Sequence, residues 1–347
     1  MNISETFQKL AAAYPERRPG SQATQTVFDS IKSETATTAW EYKAKSQKIK
    51  TYSFSVSMMF FLIGSLLTTG LSFIHPLGGV IIEAILLLLF ISELVHPRLA
   101  KIKPQASENL ICTIPARSKE LQRLLITTSV VTDSFNVRPS QIINRVFLGL
   151  IYGLGLIVFL MLLGTLWLKS QLPLYLALFA LLVMIILKLW SKDQVHPAGL
   201  SNCSILLELG AILMKTRPST TTVTLFFSGA NSLNSGILEL PKLLKEGPDL
   251  SYLVNLESYP DKRINLVTAD GLVFPQQSDP LLIELLMEAA KEKDIPVQAI
   301  KLSEISPTYA LKWRKLKVAA LTSPSEGTAD AKNIRELLIG LIRKLDH

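Results

Sequence analysis

The residues of this chain that could do chemistry are few and scattered. Glu83 lies within an apolar run, 77–95. An ionisable group in such a setting is costly and marks a functional candidate, for proton or ion handling, although no second charge lies deep enough to form a relay with it. His196 is a candidate ligand without a partner at metal spacing. Cys112 and Cys203 give neither a disulfide framework nor a metal-ligand pattern, and read as small buried hydrophobes. The stretch GANS, 229–232, lacks the G-x-S-x-G elbow of a serine hydrolase. No Ser, His and Asp stand in a recognisable order, and there is no G-x-x-x-x-G-K-[ST] phosphate loop.

The elements that must position these groups are of two kinds. Four apolar runs, 52–74, 77–95, 146–168 and 172–187, each approach the roughly 20 residues that cross a bilayer. The links at 72–76 and 169–171 are short enough to force antiparallel hairpins. Lys43, Lys45, Lys48, Lys50, Arg98, Lys101, Lys103, Arg138, Arg145, Lys188 and Lys192 flank the runs on one side, and only Lys169 stands on the other. By that bias the runs predict a multi-pass membrane protein with its globular body on the cytoplasmic side. Gly149 and Gly153 have the small-xxx-small spacing of close helix packing. The formal charge of +8 suits a body held against an anionic leaflet, and no aromatic-basic pattern points to nucleic acid.

The polar remainder alternates helix and strand. Strands are expected at 110–114, 124–131, 221–227, 252–256, 264–268, 297–302 and 318–321. Helices are expected at 4–14, 25–33, 200–215, 235–245, 280–293 and 330–345, with Asp279 as the cap of the helix at 280. Such alternation predicts an α/β fold: a mostly parallel mixed sheet with helices on both faces, plus four transmembrane helices inserted as two hairpins. The segments 1–51, 98–145 and 192–347 then form one discontinuous domain, interrupted by hairpins at 52–97 and 146–191.

Six short stretches in order carry a family likeness. YPERRPGS at 14–21 resembles the R-x-x-G-S opening of the M28 zinc aminopeptidases. NLICTIP at 109–115 and LLITTSVVTDS at 124–134 resemble two of the family's strands, the second ending in H-x-D-S. SNCSILLEL at 201–209, TLFFSGANSLNSG at 224–236 and VNLES at 254–258 resemble three later family segments.

The resemblance implies a two-zinc site, in which the metals activate a water and a Glu serves as base. Carried over residue by residue, the first His position holds Val131, and Asp133 keeps only the supporting residue of H-x-D. The bridging Asp falls at Ala198, with His196 off register. The Glu pair, base then ligand, reads Asn231 and Ser232, and the third carboxylate position is Glu257. One acidic ligand cannot hold two zinc ions, so these positions read as vestigial and no zinc or other cofactor is expected.

The expectation is therefore a membrane-anchored, catalytically inactive M28-like protein that serves as a scaffold or accessory subunit, with other membrane protein subunits as partners. A membrane metallopeptidase or hydrolase with a rebuilt site is the alternative. A small transport component using Glu83 is a third.

Overall fold

A computed structural model describes residues 3–37, 45–51, 54–95, 105–131, 141–190, 200–229, 240, 248, 250–259, 263–271, 275–302, 308–313, 315–324 and 328–346. The elements in chain order are α1 (Ile3–Ala13), α2 (Gln22–Thr37), β1 (Lys45–Thr51), α3 (Phe54–Ser72), α4 (Pro76–Val95), β2 (Gln105–Ile114) and β3 (Gln122–Ser129). They continue as α5 (Gln141–Leu168), α6 (Leu172–Trp190), α7 (Leu200–Lys215), β4 (Thr221–Ser228), β5 (Leu250–Tyr259), β6 (Ile264–Asp270) and β7 (Gln276–Gln277). The chain closes with α8 (Pro280–Glu292), β8 (Val297–Leu302), α9 (Tyr309–Trp313), β9 (Val318–Pro324) and α10 (Thr328–Leu345). Contacts divide it into two units: Met1–Tyr52, Gln105–Ser134 and Val195–His347 form one, and Ser53–Pro104 with Phe135–Gln194 form the other.

The first unit is built on a nine-stranded sheet in the order β1-β2-β4-β3-β5-β9-β6-β7, with β8 also paired to β6. β4, β3, β5 and β9 run parallel. They are covered on both faces, as parallel strands usually are: every residue of β4 is buried. β1 and β2 run antiparallel to their neighbours on one side of that centre, and on the other β6 runs antiparallel to β9 and parallel to β8. One face packs against α1, α2, α7, α8 and α10 through Phe7, Phe28, Leu206, Leu286 and Leu341, among others. The opposite face places Ile111, Leu125, Phe226, Leu253 and Val318 under Leu240 and Leu311 of α9. The mixed α/β sheet expected from the sequence is thus present. β1 was not foreseen, because KSQKIKT is polar and earns its strand from pairing with β2 rather than from burial.

Local chemistry fixes several boundaries. Asp279 caps α8 by accepting the Leu282 N–H at 3.0 Å, with Pro280 at the first helical position. Asp346 accepts the N–H groups of Ser219, Thr220 and Thr221 at 2.6, 2.7 and 2.9 Å, so the end of the chain pins the entry to β4. The helix expected at 235–245 lies outside the described residues, Leu240 apart.

The second unit comprises α3, α4, α5 and α6. Its core is Leu62, Val80, Val158, Leu162, Leu174, Ala177 and Leu181. Phe61 stacks on Phe90 with ring centroids 4.5 Å apart. Large apolar side chains also face outward, among them Leu67, Leu88, Trp167 and Phe179. Among the described residues, however, no helix is long and apolar enough to cross a membrane. This corrects the expectation of four transmembrane helices. The multi-pass localisation and the cytoplasmic side inferred from flanking charge fall with it. Gly149 and Gly153 lie in α5, whose side chains are described only from Gly155 onward.

Candidate functional site

Strand register brings six polar residues into one row at the carboxyl edge of the parallel strands. Asn109 of β2 pairs with Ser228 of β4, and Ser228 pairs with Ser129 of β3. β3 and β5 are in register to Thr128 and Leu256, and one further step sets Ser129 beside Glu257. Glu257 pairs with Thr322 of β9, and Thr322 with Asn265 of β6. Because side chains alternate along a strand, paired residues share a face. This row therefore lies on the face of Leu125, Phe226, Leu253 and Val318. Asn109, Ser228, Thr322 and Asn265 are buried, while Ser129 and Glu257 are half-buried.

One step below the row, Thr127 and Asn255 are paired across β3 and β5. Thr127 Oγ1 donates to Asn255 Oδ1 at 2.6 Å, which fixes the amide. Asn255 Nδ2 then donates to Glu257 Oε1 at 2.9 Å. The carboxylate is held from beneath by a neutral relay whose members are both buried. At the β2 end of the row, the Gly229 N–H donates to Asn109 Oδ1 at 3.1 Å. A Cβ on Gly229 would lie 2.0 Å from the carbonyl oxygen of Glu108, so only glycine lets the chain leave β4 here. Asn109 Nδ2 and Thr322 Oγ1 are buried and find no hydrogen-bond partner among the described residues. Buried polar atoms are rarely left so, and both lie in the same row.

The R-x-x-G-S stretch has a mechanical role at this edge. Arg17 is fully buried, and its Nε donates to the Val130 carbonyl at 2.8 Å while Nη1 donates to the Tyr14 carbonyl at 2.6 Å. Gly20 has φ +70°, and a Cβ there would meet the Ala106 carbonyl oxygen at 2.0 Å. Ser21 Oγ accepts the Thr24 N–H at 3.3 Å and starts α2. The motif ties the N-terminal turn to the residues just beyond β3. Burial pushes the thiols of Cys112 and Cys203 up to about 12, so neither serves as a nucleophile at neutral pH.

Of the positions named from the sequence, Val131 is buried just beyond β3, and Glu257 stands near the end of the neighbouring β5. Asp133, Ala198, Asn231, Ser232 and His196 lie outside the described residues. Glu83 belongs to the other unit. Sequence reasoning missed Thr127, Asn255, Asn109, Thr322 and Asn265. Each is an Asn or Thr inside a strand that carries other polar residues too, so the sequence did not single it out. Zinc would need imidazole or carboxylate donors. Val131 is aliphatic, the described row beside Glu257 offers amides and hydroxyls, and among the described residues no three His, Cys, Asp or Glu side chains gather. The described donors do not fit that metal.

No protein-family model matches the chain. No curated protein matches it either. Solved structures do. A glutaminyl cyclase from an Acidobacteriales bacterium shares 12% identity with a TM-score of 0.56, over 99% of this chain and 94% of its own. The zinc aminopeptidase from Bacillus subtilis shares 11% at 0.53, over 99% and 94%. A leucine aminopeptidase precursor from Bacteroides thetaiotaomicron shares 8% at 0.53, over 98% and 95%. These structures, with no membrane-crossing helix among the described residues, overturn the reading of an inactive membrane scaffold: the fold is one that known enzymes use. With the mixed sheet and its carboxyl-edge row, the likeness gives this chain the fold of the M28-like aminopeptidases and glutaminyl cyclases.

Proposed function

We propose that the chain acts on the amino-terminal end of peptides, with Glu257 receiving the ammonium group. The observation that carries this reading is the relay from Thr127 through Asn255 to Glu257. It holds one carboxylate in a fixed orientation at the carboxyl edge of a parallel sheet, where ligands of such sheets bind. A half-buried carboxylate attracts an ammonium more strongly than one in open water. Its row neighbours Thr322 and Ser129 carry neutral hydroxyls. The aminopeptidases among the solved structures support the choice of peptide ends.

The test uses the purified full chain and a peptide panel with free and acetylated amino termini, read by calorimetry for binding and by mass spectrometry for a changed amino end. Free-amine peptides should bind, and acetylation or Glu257→Gln should weaken binding at least tenfold. Equal binding of both sets, or binding untouched by Glu257→Gln, would overturn the reading.

A further inference from the structure

The helical unit holds a buried carboxyl group that the carboxyl-edge site does not use. Glu83 of α4 and Ser65 of α3 are both fully buried. Ser65 Oγ donates to Glu83 Oε1 at 2.7 Å, while Glu83 Oε2 has no hydrogen-bond partner among the described residues. Neither protonation state satisfies this arrangement. A proton on Oε2 would be a buried donor without an acceptor, and an ionised group would be a buried charge without a counter-charge. α3 and α4 carry no Lys, Arg or His that could supply one.

Ser65 opens a stripe of hydroxyls along α3. Ser65, Thr68, Thr69 and Ser72 recur at i, i+3, i+4 and i+7, so they share one face of α3, and all are buried. Both ends of this stripe abut α4. Ser65 meets Glu83, and a Cβ added to Gly79 would lie 1.7 Å from Ser72 Oγ. Thr68, Thr69 and Ser72 donate to the carbonyls of Gly64, Ser65 and Thr68 at 2.8, 2.8 and 2.9 Å. With each proton committed to its own helix, the oxygen lone pairs are left for another donor or for a cation.

We propose that the α3–α4 seam binds a small monovalent cation through the Glu83 carboxylate and the hydroxyl oxygens beside it. Oxygen donors suit hard cations. A single carboxylate neutralises one positive charge, whereas a divalent ion would leave net charge in an apolar core. Gly79 lets the two helices approach closely at the Ser72 end, which keeps the seam narrow.

The experiment is thermal unfolding of the purified full chain at constant ionic strength and mildly alkaline pH, with sodium chloride replacing choline chloride. Ligand binding to the folded state raises the midpoint in a saturable, concentration-dependent way. The midpoint should climb with sodium and level off, Glu83→Gln should abolish the rise, and Thr69→Val should weaken it. Sodium-23 line broadening in the wild-type chain, displaced by lithium or potassium, provides a readout that does not depend on a variant folding. Identical midpoints in sodium, potassium, lithium and choline would overturn the proposal. So would a response to pH alone, or a sodium response that Glu83→Gln retains.

Discussion

Asp270 Oδ1 and Lys312 Nζ lie 3.0 Å apart with both side chains withdrawn from solvent. The contact is a charge pair whose angles fall outside hydrogen-bond geometry. It joins the end of β6 to α9, at the sheet edge opposite the polar row. Breaking a buried pair by removing one member costs about 3–5 kcal/mol. Lys312→Met should therefore lower urea stability by about that amount. Replacing both residues with apolar ones of similar volume should recover most of it. A single variant as stable as the parent would show that the pair does not hold α9.

The end of the chain predicts an acid sensitivity. Burial pushes the Asp346 carboxyl up, but the N–H groups of Ser219, Thr220 and Thr221 outweigh it and hold the group below its ordinary value. A lowered carboxylate contributes stability above its unfolded value of about 3.9, and that contribution is lost as pH falls through the folded value. Asp346→Asn should flatten the acid limb of the stability-pH curve while leaving its shape at neutral pH. An unchanged acid limb would remove Asp346 from the account.

The turn that opens α2 predicts a steep cost for small changes. Gly20→Ala places a Cβ against the Ala106 carbonyl at a positive φ, and loss of at least about 2 kcal/mol is expected. Arg17→Lys keeps the charge but loses the fork that spans Val130 and Tyr14, so the change should also destabilise. Chemical denaturation of both variants measures the effect directly.

The relay beneath Glu257 predicts a graded effect on binding. Thr127→Val removes the hydroxyl that fixes the Asn255 amide, at about 1 kcal/mol or roughly fivefold in affinity. That loss should be smaller than for Glu257→Gln, and unfolding should move little beyond the same amount. An effect of Thr127→Val equal to that of Glu257→Gln would mean that the relay does more than orient the carboxylate.

The sequence made some of this legible and hid the rest for physical reasons. The apolar runs of β3, β4 and β5 announced buried parallel strands, and Asp279 with Pro280 announced the start of α8. Glu257 was visible as a carboxylate near a strand end. The row around it was not, because it exists only through register: Asn109 and Asn265 are far apart in the chain and meet one face only once β2, β4, β3, β5, β9 and β6 have aligned. The apolar hairpins misled for a related reason. Apolar length in a sequence tallies hydrophobic residues whether they face a helical core or a bilayer, and part of each run here packs into the core of α3–α6.

The position of β3 in the sheet bears on how the chain is made. β3 lies between β4 and β5, and it pairs with neither β1 nor β2. Both of its partners leave the ribosome later, β4 after the whole of α5, α6 and α7. At a synthesis rate of about 5–20 residues per second, the roughly 90 intervening residues leave β3 without a neighbour for about 5–20 s. During that interval a strand destined for the centre of the sheet is an open, apolar edge on the nascent chain, and the helical insertion sets how long a chaperone has to cover it.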